Sequence, residues 1–404
     1  MDVVEVSTVA GAWQGKGTVA TLASSLKDAV KQQPSLVIAS YSSLCDANEL
    51  REELSTTFVG TPVMGGSTCR GAVTDAGLHG FGSPNIALWV LRDDEGDFGV
   101  GYAPFDTEMS DSVERAALAA LEQAVEQADR AGELPDLIWI HASPGHEEKL
   151  VDVLDKELGG DVTIVGGSAA DESLSAEWTC FAGLEGSATG IALAAFYTSC
   201  EVSSSFQCGY KPTSTVGVAT RCEGRTVFEI DNRPAAEVYN QWAGGLIDLD
   251  QASFPASVLG SSTLMPLGMA VGDVAGVPYY NLAHPETYTE DLALTFFCEV
   301  GEGDTLTLMH GTTDNIISRP GRVANEAIHQ PDAGDGEVVG GLVVFCGGCL
   351  LAVESRANEI GDYLQDSFGN APFMGCFTFG EQGRFAGGEN RHGNLMISVT
   401  ALLR

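Results

Sequence analysis

The feature that most constrains this chain is an internal repeat, because a repeated unit fixes architecture before any motif is considered. The run Leu36-Val37-Ile38-Ala39 reads as a buried strand and is followed by Asp46 with Glu49 three positions on, the spacing of a capping box. Ala47, Leu50, Leu54 and Phe58 then fall at helical spacing and lead into Pro62-Val63-Met64-Gly65-Gly66-Ser67-Thr68. The order recurs as Leu137-Ile138-Trp139-Ile140, a helix face of Leu150, Val151, Leu154 and Leu158, and Thr163-Ile164-Val165-Gly166-Gly167-Ser168-Ala169. Pro34 matches Pro135 and Gly65 matches Gly166, both 101 positions on, so the two ends of the unit keep one spacing. A third copy runs from Leu342-Val343-Val344-Phe345 through Ile360, Leu364 and Phe368 to Phe373-Met374-Gly375-Cys376-Phe377-Thr378. A fourth candidate, Val258-Leu259-Gly260-Ser261-Ser262, lacks a convincing strand and helix before it.

A strand-helix-strand unit places its two strands parallel in one sheet with the helix over a face. Each unit leads on to another apolar strand: residues 86–91, 191–196 and 395–399. An amphipathic helix precedes the first unit, with Val19, Leu22, Leu26 and Val30, and another precedes the second, with Val113, Leu118, Leu121 and Val125. The expected fold class is α/β, a two-domain layered helix/sheet architecture built from repeated strand-helix-strand units with mixed sheets. A length of 404 residues also exceeds what one core usually serves. Between Cys200 and Asp314 the pattern changes to shorter strands and turns, which sets a boundary near residue 205. Residues 1–204 then hold two repeats, and 205–404 hold a strand-rich insert and the third. The acidic stretch 331–337, carrying Pro and Gly, reads as a surface loop.

Acidic residues outnumber basic ones 56 to 20, for a formal charge of -36, and such a field repels phosphate backbones and anionic lipid. Nucleic-acid and membrane partners are not expected. The acids are dispersed, as on the solvated surface of a salt-adapted or highly soluble protein. Residues 1–17 carry no basic start, and no apolar run reaches membrane-spanning length, so neither a signal peptide nor a span is expected. Ten cysteines, mostly in apolar strands, point to a reducing compartment, the cytoplasm or an organelle interior.

Several of these residues also resemble a known family. Residues 63–71 with Ala87-Leu88-Trp89-Val90, and Val165-Gly166-Gly167-Ser168-Ala169-Ala170-Asp171, are similar to the two halves of a FIST N-terminal domain. Val227-Phe228-Glu229-Ile230-Asp231 with residues 234–239, the strand-end Phe345-Cys346, and residues 375–381 with His392 and Asn394 resemble its C-terminal partner domain. The likeness covers roughly residues 15–404, with two departures: Cys349 stands where the family usually has a basic residue, and Gly393 interrupts the closing His-Asn pair. It implies a sensory module that binds small molecules such as amino acids, and some members are reported as haem-dependent gas sensors. Without an output domain in the chain, a signal would pass to a separate partner or through self-association.

The glycine turns suggest where such a ligand would sit. Gly65, Gly66, Gly166, Gly167 and Gly375 are expected at carboxyl ends of parallel strands, where backbone N–H groups can approach an anionic group, although they could equally serve tight repeat packing. Beside them Thr68, Arg70, Asp171, Thr378 and Glu381 are candidate ligand contacts: Arg70 for a carboxylate, Asp171 and Glu381 for an ammonium. Each could instead form a surface ion pair or cap a turn. No Walker lysine or Gly-x-Ser-x-Gly elbow occurs, so neither nucleotide hydrolysis nor a serine triad is expected, and no catalytic residue is assigned.

Cys346-Gly347-Gly348-Cys349 would suit a redox pair if it opened a helix, but Leu350-Leu351-Ala352-Val353 reads as further strand, with helical periodicity from about Ser355. Cys346 is therefore expected to line a pocket or pack in the core. The seven histidines show no metal spacing; His392 is the one expected in the pocket, and haem ligation by it is an alternative. The leading expectation is a stand-alone sensor for an amino-acid-like molecule, with no cofactor or metal. The alternatives are a haem-based gas sensor, an enzyme using Cys346, and a structural component of an assembly.

Overall fold

A computed structural model of the chain describes residues 3–109, 111–251, 253–330 and 336–404; residues 331–335 of the acidic stretch lie outside the described residues. Each repeat forms the core of its own six-stranded sheet, and the three sheets share one plan. In the first, the order is Val4–Ala12, Asn85–Asp93, Leu36–Ser42, Val63–Thr68, then the hairpin strands Cys180–Ala182 and Glu185–Ser187. The second runs Asp97–Pro104, Gly190–Tyr197, Leu137–Ala142, Thr163–Ser168, then Glu381–Arg384 and Asn390–Gly393. The third runs Glu201–Cys208, Met396–Leu403, Val338–Cys346, Phe373–Thr378, then Ala72–Thr74 and Gly77–His79. The pair within each repeat unit is parallel and the other pairings are antiparallel, giving the expected mixed sheets.

The last two strands of every sheet come from a different repeat. The hairpin of the second repeat completes the first sheet, that of the third completes the second, and that of the first completes the third. The exchange is cyclic and closes on itself. It is closed again by three equivalent backbone hydrogen bonds where the glycine boxes end: Ala170 N donates to Ser67 O at 2.8 Å, Cys69 N to Phe377 O at 2.9 Å, and Phe379 N to Ser168 O at 3.2 Å.

Alternation along the central strands explains the layers. Leu36 and Ile38, Leu137 and Trp139, and Leu342 and Val344 point into one shared core with Trp89, Phe196 and Met374. Their neighbours point outward: Val37 and Ala39 under one helix layer, Ile138 and Ile140 under the helices Ser112–Gln127 and Glu147–Glu157, and Val343 and Phe345 under Thr313–Ile328 and Asn358–Phe368. Strands buried on both faces need apolar residues at every position, which is why they read as continuous hydrophobic runs. Glycine permits the tightest of these contacts. A Cβ on Gly99 or Gly101 would lie 1.9 Å from the carbonyl oxygen of Ala124 or Ala120 on the covering helix.

The strand-rich insert forms a nine-stranded sheet with the helix Ala235–Trp242 against it and a core of its own around Tyr239, Tyr288 and Phe296. The Val258-to-Ser262 segment contributes the short helix Leu259–Ser262 there. Two local expectations are corrected. The helix read before the first repeat is two short helices, Thr18–Ala23 and Asp28–Gln32, because Ser24-Ser25 ends the first in a turn closed by Leu26 N on Ala23 O. The run Leu350-Leu351-Ala352-Val353 is not strand, since residues 347–352 are helical; Cys346, Cys349, Leu350 and Val353 make the buried face and Ala352 is exposed, a period that four apolar residues in a row conceal. The strand Val4–Ala12 was not anticipated.

Candidate ligand-binding site

At the junction of the three repeats the glycine boxes are packed against protein. A Cβ on Gly65 would stand 2.4 Å from Ala39 O, on Gly166 2.0 Å from Ile140 O, and on Gly375 2.6 Å from Val73 Cγ1. On Gly66 it would meet the His141 ring at 2.6 Å, and on Gly167 the Thr378 methyl at 2.4 Å. Thr68 is buried and its hydroxyl donates to Gly71 O at 2.7 Å. The carboxylate of Asp171 accepts four backbone N–H groups of its own loop, from Ser173, Leu174, Ser175 and Glu177, at 2.5 to 3.1 Å. Arg70 takes a left-handed backbone, φ 62°, and lies over the Phe81 ring, 6.0 Å from its centroid.

Cys346, Thr378 and Glu381 are brought together in a buried polar cluster. Thr378 Oγ1 donates to Glu381 Oε1 at 3.1 Å and Met396 N to Oε2 at 2.9 Å. Burial, and then the Cys346 thiol, push the Glu381 carboxyl well above the usual range. Cys346 does open a helix, Gly347–Ala352, yet its thiol is pushed up by the hydrogen bond to Cys349 and by burial, the reverse of what an attacking thiolate needs. Cys349 in turn meets Tyr210 Oη at 3.4 Å, and Tyr210 donates to Thr263 O at 2.8 Å.

His392 lies apart from this cluster and lines a cavity of about 390 Å³ between the helix Glu147–Glu157, the strand Asn390–Gly393 and the insert. The insert is held there by Arg225, whose Nη2 lies 2.5 Å from both Glu147 and Glu148. Burial opposes ionisation of Glu147, but His392 and the guanidinium outweigh it and hold the carboxyl at about 2. Glu147 also accepts from Ser168 Oγ at 2.7 Å, tying the second glycine box to this contact. Glu147, Glu148 and His392 are grouped closely enough for a metal ion. Arg225 already supplies the positive charge that a cation would bring.

The cavity has more acceptors than donors. Asp152, Glu299 and Asp304 line it beside Glu148, and Asn281 Oδ1 is buried without a hydrogen-bond partner. Burial raises both Asp152 and Glu299, and the nearby Glu148 raises them further, while Arg391 partly offsets this at Asp152 and Arg225 at Glu299. Neither is in an ion pair among the described residues. Arg391 is the cation on the wall and is paired with Glu389 at 2.8 Å.

The FIST N domain matches residues 35–233 and the FIST C domain matches residues 235–384. The chain belongs to the FIST family. FIST domains are sensory domains that bind small ligands in signal transduction. No curated protein matches the sequence. Among solved structures, cyanuric acid hydrolase from A. caulinodans is similar at a TM-score of 0.32 and 11% identity, over 100% of this chain and 99% of that one. No helix among the described residues of this FIST protein is long and apolar enough to cross a membrane.

Haem does not fit at His392 of this FIST protein. Nδ1 faces Gln382 Nε2 at 3.3 Å, Nε2 faces Phe297 O at 3.3 Å and Asn394 at 3.4 Å, and the adjoining cavity is lined with carboxylates. A haem pocket needs a free ring nitrogen and apolar walls. Burial also lowers two histidines to about 4: His141, beside the first glycine box, and His284, in the insert. A lowered folded-state value means that the unfolded chain binds the proton more tightly. Stability should therefore fall as pH drops from about 6.5 to 4, by about 3 kcal/mol per histidine. Urea midpoints across that range check this, and His141→Leu should remove part of the slope.

Proposed function

We propose that this FIST protein is a sensory module whose ligand is amino-acid-like and binds in the cavity between the second repeat and the insert. The observation that carries this reading is the surplus of acidic groups: Glu148, Asp152, Glu299 and Asp304 line a space of about 390 Å³ whose wall carries one cation, Arg391, already paired with Glu389. An ammonium group would relieve the mutual repulsion of these carboxylates. Arg391 stands on the wall to meet a carboxylate. Because the insert forms one side of the cavity and Arg225 ties it to the second repeat, occupancy would tighten that contact, and a separate partner or a second copy would read the change.

A melting-temperature screen with amino acids, simple amines and simple carboxylates tests the proposal. Amine-bearing ligands should stabilise by about 2.7 kcal/mol at a hundred times Kd, and simple carboxylates should not. Binding should weaken as pH falls through the raised values of Asp152 and Glu299, because protonation removes the charges that receive the ammonium. Glu299→Gln should weaken it about tenfold, the loss of one charge-assisted hydrogen bond. If no amine raises the melting temperature, or Glu299→Gln leaves binding unchanged, the cavity is not the site.

A further inference from the structure

A second cavity, of about 600 Å³, lies on the far side of the strand Glu381–Arg384, between the strand Glu201–Cys208, the helix Thr313–Ile328 and the insert strand Val277–Ala283. Its charge is opposite to that of the chain. Lys211, Arg319, Arg322 and Arg384 line it against one acid, Glu326, in a protein with 20 basic and 56 acidic residues. None of these four bases is among the ion pairs of the described residues. Glu326 accepts a hydrogen bond from Gln207. Arg384 is committed to Val162 O at 3.1 Å and Gly160 O at 3.0 Å, and Arg322 donates to Ser318 Oγ at 2.8 Å.

Arg319 is the exception. Its Nε is buried with no hydrogen-bond partner, and burial works against its charge, Arg322 adding to this and Cys208 and Glu326 offsetting it in part. A buried guanidinium nitrogen left unpaired is costly, and an oxyanion supplies the acceptor it lacks. Aromatic side chains complete the lining. Tyr279 stacks on Phe385 with ring centroids 5.2 Å apart, and Phe206 meets Phe385 at 4.9 Å. A cationic helix face together with an aromatic cluster suits one molecule with a charged end and a flat apolar end.

We propose that this cavity binds an organic anion carrying a planar ring, with its carboxylate or phosphate held by Arg319 and Arg322 and its ring against Tyr279 and Phe385. It is a site distinct from the acceptor-lined cavity, and its ligand has the opposite charge.

Calorimetric titration of the full chain with indole-3-acetate and with AMP tests the proposal, with acetate, inorganic phosphate and indole as part-ligands. At least one ring-bearing anion should bind about tenfold or more tightly than either of its parts, and which one does distinguishes the carboxylate from the phosphate source. Arg322→Gln, on an exposed residue, and Arg319→Gln should each weaken it about tenfold. Glu299→Gln should leave it unchanged, which separates failure of this site from failure of the other. Binding of neither probe, or binding that survives both arginine substitutions, overturns the proposal.

Discussion

Gly166→Ala is expected to lower the unfolding free energy by about 3 kcal/mol or more, the range in which backbone strain and overpacking combine. The residue has φ 147°, a conformation L side chains rarely adopt, and an added Cβ would stand 2.0 Å from Ile140 O. A carbonyl oxygen in the adjacent parallel strand cannot rotate away as a side chain can, so the strands must separate or the box must shift. Either movement reaches the bond between Phe379 N and Ser168 O, and through it the third repeat. Gly77→Ala is the control, because its φ is 109° but nothing lies within 4 Å of the added atom. Its cost should stay near the backbone term alone, about 1 kcal/mol. Urea unfolding of both variants separates strain from crowding. A Gly166→Ala loss no larger than the control's would mean that close packing does not hold the box in place.

Arg225→Met should cost about 3 to 5 kcal/mol, because it leaves Glu147 charged and buried without its partner. The Glu147 carboxyl is held at about 2, below its ordinary value near 4.5. That depression contributes stability above the unfolded value, about 3 kcal/mol, which is lost as pH falls from about 4.5 through 2. Removing the guanidinium lets burial dominate, so the acid limb of the stability profile should move to higher pH. Glu147→Gln in the Arg225→Met background should recover part of the loss, as expected when the damage is an uncompensated charge. Guanidinium chloride titrations of the two single variants and the double variant at several pH values check this. Equal and additive losses at every pH would show that the pair is not coupled.

The repeat was legible because its evidence is local. Strands buried on both faces and helices with one apolar face announce themselves within a few residues, and Gly65 and Gly166 mark equal positions in two copies. What the sequence could not show is that each hairpin leaves its own repeat, since pairing of Gly166 with Gln382 involves residues more than half the chain apart. Ten of the twelve candidate ligand residues are the glycines of the boxes and their polar neighbours; Cys346 comes from the Cys-x-x-Cys motif and His392 from the closing box of the family resemblance. The structure gathers Cys346, Thr378 and Glu381 at the junction and puts His392 on a cavity wall, whereas the four carboxylates and Asn281 around that cavity come from elements without a motif. Glu147 and Glu148 looked like ordinary acids opening a helix, where the helix dipole favours them. Arg225 was one of only 20 basic residues, and that scarcity was the available signal.

The cyclic exchange of hairpins has a consequence during synthesis. As the chain leaves the ribosome, N-terminal end first and at about 5 to 20 residues per second, the second sheet cannot finish when its own repeat is complete. Its edge strand Thr163–Ser168 must wait for Glu381–Arg384, more than half this sequence later. An unpaired strand edge is a template for wrong partners during that interval. The exposed segment is Thr-Ile-Val-Gly-Gly-Ser, and its two glycines give a neighbouring nascent chain little side-chain surface to grip. The residues that let the finished repeats pack closely would thus also keep the unfinished one from sticking to its neighbours on a polysome.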